Sequence, residues 1–379
     1  MSFQRFTLAK NILAGRRLSS LDAFRGLTIA AMILVNNPGS WKHVYAPLRH
    51  AEWHGWTPAD LVFPFFLFIV GISLSLSLSK RIAQGIRPWR LYFKIMKRTL
   101  ILFGLGIFLA LVPRFDLATV RIPGVLQRIA LCYFFSSLLF IKIGSKGRTV
   151  ITFSLLALYW LIMKLVPVPG YGTGILEYKG NLCAYIDTKL LAGHLYKPDF
   201  DPEGILSTLP AIATVLLGTL GGDWLRSSKG TLNKTAGLFG AGIFFTFSGL
   251  LLHPYFPINK QLWTSTFVLF TAGAALLLLG VCYGVMEGIG FRKWATPFLV
   301  FGTNAIFIYV GASLMARLIS ITKVSGGSGA LSLKTYLHGH LLAPWAGPFL
   351  GSLIYPLLLL LLWLGIMYPL YKKKIFIKI

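Results

Sequence analysis

Acidic residues are scarce in this chain of 379 residues, which has 11 Asp and Glu against 37 Lys and Arg. Charged residues make up only 13% of the sequence, about half the share found in a soluble domain. This composition excludes a soluble enzyme and a disordered tail. Cysteine is also rare, and three residues (Cys132, Cys183 and Cys282) imply no disulfide framework. The first 20 residues lack the apolar core and the small-residue cleavage site of a signal peptide.

Long apolar segments are abundant, because 55% of the residues are hydrophobic. About 20 mostly apolar residues cross a bilayer as a helix. The sequence therefore predicts an all-α polytopic transmembrane helix bundle with about ten spans, at residues 21–38, 59–79, 95–113, 121–142, 149–167, 204–224, 234–252, 261–286, 295–319 and 347–370. Residues 331–345 are too polar to span, and we expect them to lie at an interface or to re-enter. The predicted organisation is one transmembrane domain (21–370) with outer loops 39–58 and 168–203, between basic tails at 1–20 and 371–379.

The basic residues indicate the orientation of these spans. The formal net charge is +26, and 23 Lys and Arg lie on the side of the termini against ten on the opposite side. The positive-inside rule then predicts that both termini are cytoplasmic. In an apolar chain this charge favours a membrane protein over one that binds nucleic acid. The remaining four basic residues lie within spans; they are Arg25, Arg128, Lys164 and Arg317. A charged side chain inside a membrane is costly, so each of these residues is a candidate for a functional role.

The segment RHAEWHGWTPADLVFP before the second span is the densest in residues that could perform chemistry. It contains His50, whose imidazole can act near neutral pH as a base or as an acyl carrier. Asp60 can cap the following helix or orient an imidazole. The alternative is an interfacial belt of Trp and His that anchors the loop. His50, Glu52 and His54 do not follow the spacing of a zinc hydrolase, so we predict no metal site.

The first and fourth spans contain further polar candidates. Arg25 lies three residues after Asp22, so it either pairs with that carboxylate or binds a phosphate. Asn36 lies about 16 Å farther along the helix, where it can cap the helix or donate a hydrogen bond to an acyl carbonyl. In VRIPGVLQR, Arg128 is predicted to lie within the membrane and needs a partner, either a carboxylate such as Asp60 or a ligand anion.

Other polar residues fall at predicted helix ends, where ordinary capping and interface roles are the alternative to ligand binding. They are Arg121 at the start of the fourth span, Asp201 and Glu203 before the sixth, Asn259, Lys260 and Trp263 before the eighth, and Asn304 in the ninth. Gln127 lies beside Arg128, about 10 Å deeper in the fourth span than Arg121.

Taken in order, LDAFRG, HAEWHGWTPADLVFPFFLFIVG, VRIPGVLQRI, DPEGILSTLPAI, NKQLWTSTF and FGTNAIFIYVG resemble the heparan-alpha-glucosaminide N-acetyltransferase family, in its bacterial branch. The resemblance covers residues 18–370. It implies transfer of acetyl from cytoplasmic acetyl-CoA to an amino sugar across the membrane. It also implies that His50 is the active-site histidine and Asn36 the family asparagine. The chain departs from the family pattern at His54 and in a longer stretch between Asn36 and His50, which bears on the acceptor. A cell-envelope glycan or a free amino sugar is the expected acceptor in a bacterial inner membrane.

The resemblance and the residue patterns together give one set of expected roles. The catalytic residues are His50, Asn36 and Asp60, while contacts to acetyl-CoA come from Arg25, Gln127, Arg128, Arg121 and Asn304. Contacts to the acceptor come from Trp53, Glu203, Asp201, Asn259, Lys260 and Trp263. The lipid bilayer is the other expected partner, and a homodimer stays open.

Two other functions remain alternatives at this stage. Acyltransferase-3-like enzymes that O-acetylate envelope polysaccharides share the LDAFRG-like opening, but they carry a histidine eleven residues after the arginine, where this chain has Asn36. A transporter or flippase of sugar-linked substrates would share the spans and the intramembrane charges. The sequence shows no convincing paired breaks of the kind that favour such a transporter.

Overall fold

The computed structural model describes residues 18–326 and 329–377. Parts of the predicted basic tails (1–20 and 371–379), namely residues 1–17 and 378–379, lie outside the described residues. The main helices are α1 (Ser19–Asn36), α2 (Val62–Ala83), α3 (Pro88–Leu111), α4 (Val125–Lys142), α5 (Ser145–Leu165), α6 (Leu182–Leu190), α7 (Thr208–Arg226), α8 (Thr231–Leu251), α9 (Ser265–Tyr283), α10 (Thr296–Thr303), α11 (Ala305–Ile321), α12 (Leu333–Tyr336) and α13 (Ala343–Lys372).

Shorter elements join these helices. Single 3₁₀ turns lie at Ala46–Leu48, Pro58–Leu61 and Lys293–Ala295, and π-helical turns lie at Gly284–Ile289 and Leu337–Leu342. One antiparallel hairpin, β1 (Lys323–Gly326) and β2 (Gly329–Ser332), pairs Lys323 with Ser332. The polar stretch 331–345 is therefore a strand end and short helical turns. Gly347, with φ of 75°, bends the chain just before the last predicted span.

The predicted apolar segments coincide with helices, although the ends of several differ by a few residues. Helix α4 begins at Val125 and not at residue 121, because Pro123 and Gly124 precede it in extended or irregular backbone. Within the described residues, seven helices are long and apolar enough to cross a membrane, or eight if the bent pair α10 and α11 is one span. Helices α1 and α3 are of similar length but carry charges, among them Asp22 and Arg25 in α1.

The two ends of the bundle differ in character. At one end, which we call the loop end, segments 37–61, 112–124, 166–207 and 252–264 bond to one another, as in Gly55 N to Ile258 O and Ile122 N to His194 O. At the other end, which we call the basic end, short connections join the helices, and Arg148 and Arg226 both pair with Asp223.

Burial separates central helices from peripheral ones. In the most apolar stretch of 18 residues that includes α2, 67% is buried inside the protein, against 22% for the corresponding stretch of α8. Helix α8 exposes Leu232, Ile243, Phe244 and Phe247, whereas α2 is apolar all round and packs against α7 and other helices. A helix that is apolar on every side is buried. The exposed apolar face of α8 is suited to contact with lipid.

The ninth predicted span is broken. Helices α10 and α11 meet at an angle of 73°, and Asn304 between them is 1% exposed. The Asn304 Nδ2 donates to the carbonyl of Ile375 at 3.1 Å, and its Oδ1 accepts from the amide of Ile377 at 2.7 Å. The segment that follows α13 is thereby attached to the break.

Close helix pairs depend on glycine. A Cβ placed at Gly71 of α2 would collide with the carbonyl oxygen of Val215 in α7, and one at Gly218 would collide with that of Phe68. Small residues let helix backbones approach closely in membranes. The α2–α7 contact is built on this reciprocal pair.

We predict that Gly71→Ala destabilises the protein by roughly 1–3 kcal/mol, because the added methyl group forces the α2 and α7 backbones apart. The measurement is thermal unfolding in detergent. The matched control is Gly104→Ala in α3, where an added Cβ meets no atom within 4 Å and helix propensity favours alanine. Equal unfolding temperatures for the two variants would contradict the prediction.

Candidate active site

The loop before α2 is folded around one carboxylate. Asp60 Oδ2 accepts hydrogen bonds from the backbone amides of Ala51 and Thr57, each at 3.0 Å. Thr57 and Asp60 form a capping box at the start of the 3₁₀ turn Pro58–Leu61, an arrangement in which each residue satisfies a backbone donor of the other. Asp60 is 1% exposed. The sequence segment that supplies the site therefore fixes its own carboxylate.

The second oxygen of Asp60 faces two side chains. Asp60 Oδ1 lies 2.8 Å from His50 Nδ1 and 3.2 Å from Lys260 Nζ. When Nδ1–H donates to the carboxylate, the lone pair of the imidazole is on Nε2. The His50 side chain is 37% exposed, so this nitrogen can be reached. A histidine oriented by a carboxylate is the arrangement of a general base or a nucleophile.

A cavity of about 170 Å³ adjoins this pair. Its polar lining consists of Asn36, His50, Glu203, Lys260 and Tyr309, and its apolar wall consists of Met32, Val35, Ala59, Val62, Phe63, Phe66 and Val125. Four of the predicted site residues thus share one cavity, although they come from four separate stretches of sequence. Tyr309 was not predicted. It is the tyrosine of the motif FGTNAIFIYVG, five residues after Asn304, so the motif could have indicated it.

Two adjacent asparagines end α1, and the structure separates their roles. Asn37 is buried, and its Nδ2 donates to the carbonyl of Ile33 at 2.9 Å. Asn36 is exposed at the cavity. Asn36 is therefore the asparagine whose side chain is placed to meet a ligand.

Glu203 reaches the cavity from a charged network at the loop end. Arg121 donates from Nε and Nη2 to both oxygens of Asp201, at 2.8 and 2.6 Å, and also pairs with Glu203. Asp201 further accepts from the amides of Tyr196 and Glu203. Arg121 and Asp201 thus hold Glu203 at the cavity.

Arg128 does not pair with Asp60, which had been one of its suggested partners. Its Nη2 donates to the carbonyl of Gly204 at 3.1 Å and to Ser207 Oγ at 2.5 Å. Its guanidinium lies over the ring of Trp263, 5.2 Å from the centroid. Asp60 is already bonded to His50 and Lys260. Arg128 therefore links α4 to the start of α7.

The other expected contacts to acetyl-CoA lie apart from the cavity lining. Arg25 donates to Asp22 Oδ1 at 2.8 Å, which confirms the predicted pair, and also to Ser73 Oγ and the carbonyl of Gly302. Gln127 is buried against Gly106 and Gly124. Asn304 holds the segment after α13.

The remaining expected acceptor contacts form the loop end around the cavity. Trp53 packs on Tyr178 and Phe200, and its Nε1 donates to the carbonyl of Leu176 at 2.8 Å. Asn259 Oδ1 accepts from the amide of Leu262, and its Nδ2 lies 3.3 Å from His54 Nδ1. These contacts connect the His50 loop to segments 166–207 and 252–264.

A buried carboxylate supports the segment that carries Glu203. Asp187 in α6 accepts from the amide of Ile205 at 2.9 Å and packs against Gly204. Burial raises the pKa of Asp187 to about 6. This group therefore takes up a proton when the chain folds at moderately acidic pH.

Comparison with known proteins identifies relatives. Residues 17–250 match the family described as heparan-alpha-glucosaminide N-acetyltransferase, catalytic. The chain is 32% identical to the heparan-alpha-glucosaminide N-acetyltransferase of Homo sapiens, over 96% of this chain and 60% of the relative. It is 31% identical to that of Mus musculus, over 97% of this chain and 61% of the relative. The chain thus spans about three fifths of the length of these curated relatives.

We predict that Asp187 makes stability depend on pH. Its folded pKa of about 6 exceeds the ordinary value of 3.8, so its stabilising contribution is full below about pH 4 and is lost as the pH rises through 6. The measurement is the unfolding temperature against pH for wild type and Asp187→Asn, which should lack this loss. Asp199→Asn, in the same segment 166–207, is the control. Parallel profiles for wild type and Asp187→Asn would contradict the prediction.

Proposed function

Because the chain belongs to the heparan-alpha-glucosaminide N-acetyltransferase family, we propose that it is a transmembrane acetyltransferase. It moves acetyl from cytoplasmic acetyl-CoA to the amine of an amino sugar or glycan on the outer side of a bacterial inner membrane. The observation that carries this proposal is the His50–Asp60 pair at a cavity that Asn36 and Glu203 also line.

The proposed topology has ten spans, with the basic end of the bundle in the cytoplasm and the loop end outside. It is supported by the charge asymmetry of the sequence, since basic residues favour the cytoplasmic side. In this arrangement both termini are cytoplasmic, and His50 lies on the side opposite to the source of acetyl-CoA. The thioester must then reach the cavity from the basic end.

The size of the cavity limits what it can hold. Sites for whole drug-sized ligands measure about 300–1,000 Å³, and this cavity of about 170 Å³ suits a small group. We assign it to the acetyl thioester end of the donor. The nucleotide end would lie towards the basic end, where the basic residues of α3 are suited to phosphate, whereas the guanidinium of Arg25 already donates to Asp22, Ser73 and Gly302.

The polar residues of the cavity have complementary roles in this proposal. Asn36 donates a hydrogen bond to the acyl carbonyl oxygen as negative charge develops there. Glu203 attracts the cationic amine of the acceptor. His50 acts through Nε2, while Asp60 fixes the ring and stabilises the imidazolium that forms.

Two routes are compatible with this geometry. In the direct route, His50 removes a proton from the acceptor amine, the amine nitrogen attacks the acetyl carbonyl, and the carbon–sulfur bond breaks to release the CoA thiolate, which regains a proton. In the other route, His50 Nε2 attacks the acetyl carbonyl and the carbon–sulfur bond breaks, which releases the CoA thiolate. The neutral acceptor amine then attacks the acetyl carbon, the bond to Nε2 breaks, and the proton that the amine nitrogen loses passes to the thiolate.

We predict that His50→Ala abolishes acetyl transfer and that Asp60→Asn lowers its rate roughly 10²- to 10⁴-fold, the usual contribution of an acid–base residue. The assay uses purified protein in vesicles, acetyl-labelled CoA and glucosamine or another amino sugar. Glu52→Ala, an exposed change in the same loop, is the control and should keep activity. Full activity of His50→Ala, or no transfer by wild type to any amino sugar or glycan tested, would refute the assignment.

We predict that a cysteine at Glu52 is labelled in intact cells by a membrane-impermeant thiol reagent, whereas a cysteine at Gln84 is labelled only after permeabilisation. Both positions are exposed, at opposite ends of the bundle, and the three native cysteines are buried. The reverse pattern of labelling would show that the proposed orientation is inverted.

A further inference from the structure

Lys260 touches both members of the His50–Asp60 pair. Its Nζ lies 3.2 Å from Asp60 Oδ1, 3.0 Å from His50 Nδ1 and 3.4 Å from His50 Nε2. The side chain is 20% exposed. Its segment is held by bonds around Asn259, whose backbone amide donates to Thr264 Oγ1. The amine is thus built into the site on a fixed loop.

The three distances show which contact is a directed hydrogen bond. The lone pair of a ring nitrogen points away from the ring, so a donor aligned with Nδ1 would be much farther from Nε2 than from Nδ1. Lys260 Nζ is almost equally far from both. Its hydrogen bond therefore goes to Asp60, and towards His50 it acts as a charge beside the ring.

This placement has two effects on the imidazole. The bond from Lys260 leaves Asp60 Oδ1 as an acceptor shared by two donors, which fixes the direction of the carboxylate and hence of Nδ1–H. A positive charge beside the ring also disfavours the imidazolium. The negative charges of Asp60 and of Glu203 in the same cavity favour the imidazolium, and Arg121 pairs with Glu203. Tyr309 is the other ionisable group lining the cavity.

We propose that Lys260 is a positioning residue that fixes the His50 ring through Asp60, keeps its Nε2 lone pair directed into the cavity, and opposes formation of the imidazolium by the charge it places beside the ring. In this role it acts on His50 and Asp60, and does not primarily bind the acceptor. The inference rests on the proposed function for its catalytic meaning, although its effect on His50 can be measured without transfer activity. Burial lowers the pKa of Lys260, while the Asp60 carboxylate favours its ammonium form.

The test measures how fast diethyl pyrocarbonate modifies His50 at different pH values, because this reagent reacts with neutral imidazole. Mass spectrometry of the His50 peptide reports the rate in intact protein. Lys260→Met removes both the positive charge and the hydrogen bond to Asp60. Lys260→Gln keeps a hydrogen-bond donor without the charge, and Lys260→Arg keeps the donor and the charge. Lys179→Met, an exposed lysine of the outer region, is the control.

We expect the pH midpoint of His50 modification to rise by about one unit or more in Lys260→Met and Lys260→Gln. It should stay near the wild-type value in Lys260→Arg and Lys179→Met. In the pH profile of kcat/KM for acetyl transfer, the midpoint on the acid side should also move to higher pH in these two neutral variants.

Unchanged midpoints in both neutral variants would overturn the inference, and so would a raised KM with an unmoved pH profile, which indicates an acceptor contact. If the midpoint shifts in the neutral variants but the wild-type protein transfers no acetyl group, the role of Lys260 is upheld and the proposed function is refuted. The two failures are therefore distinguishable.

Discussion

The buried carboxylate of Asp60 is the constraint on which the rest of the site depends. A charge removed from water is costly unless it is paired and hydrogen-bonded. Asp60 meets this requirement with backbone amides on one oxygen and with His50 and Lys260 on the other. The same interactions fold the loop, orient the imidazole and join the start of α2 to the segment before α9.

A second set of charges holds Glu203, another residue of the cavity lining. Arg121 binds Asp201 with two donors and pairs with Glu203. Bidentate pairs of this kind add geometric specificity to their energy. The cavity is thus enclosed by segments that are each fixed by an ion pair, while its apolar wall comes from α1, α2 and neighbouring residues. A cavity whose polar residues are held by ion pairs and whose other lining is apolar is suited to presenting a small reactive group.

The sequence allowed the helices and the centre of the site to be predicted, because both depend on local patterns. Apolar segments indicated the helices, and the capping position of Asp60 indicated its relation to His50. The contact of Lys260 with His50 joins residues 210 positions apart, and no spacing rule connects them. Pairing of Arg128 with Asp60 was one of two alternatives that the sequence left open, and it does not occur because His50 and Lys260 occupy that carboxylate. Tyr309 was missed because a tyrosine in an apolar helix looks like core or interface.

The broken helix at Asn304 has a practical consequence for handling the protein. Its carboxamide is buried and is bonded to the backbone of Ile375 and Ile377. Removal of these residues would leave polar groups without partners, at a cost of about 1–3 kcal/mol for each. A shortened version of the protein made for expression should therefore keep the segment through Ile377.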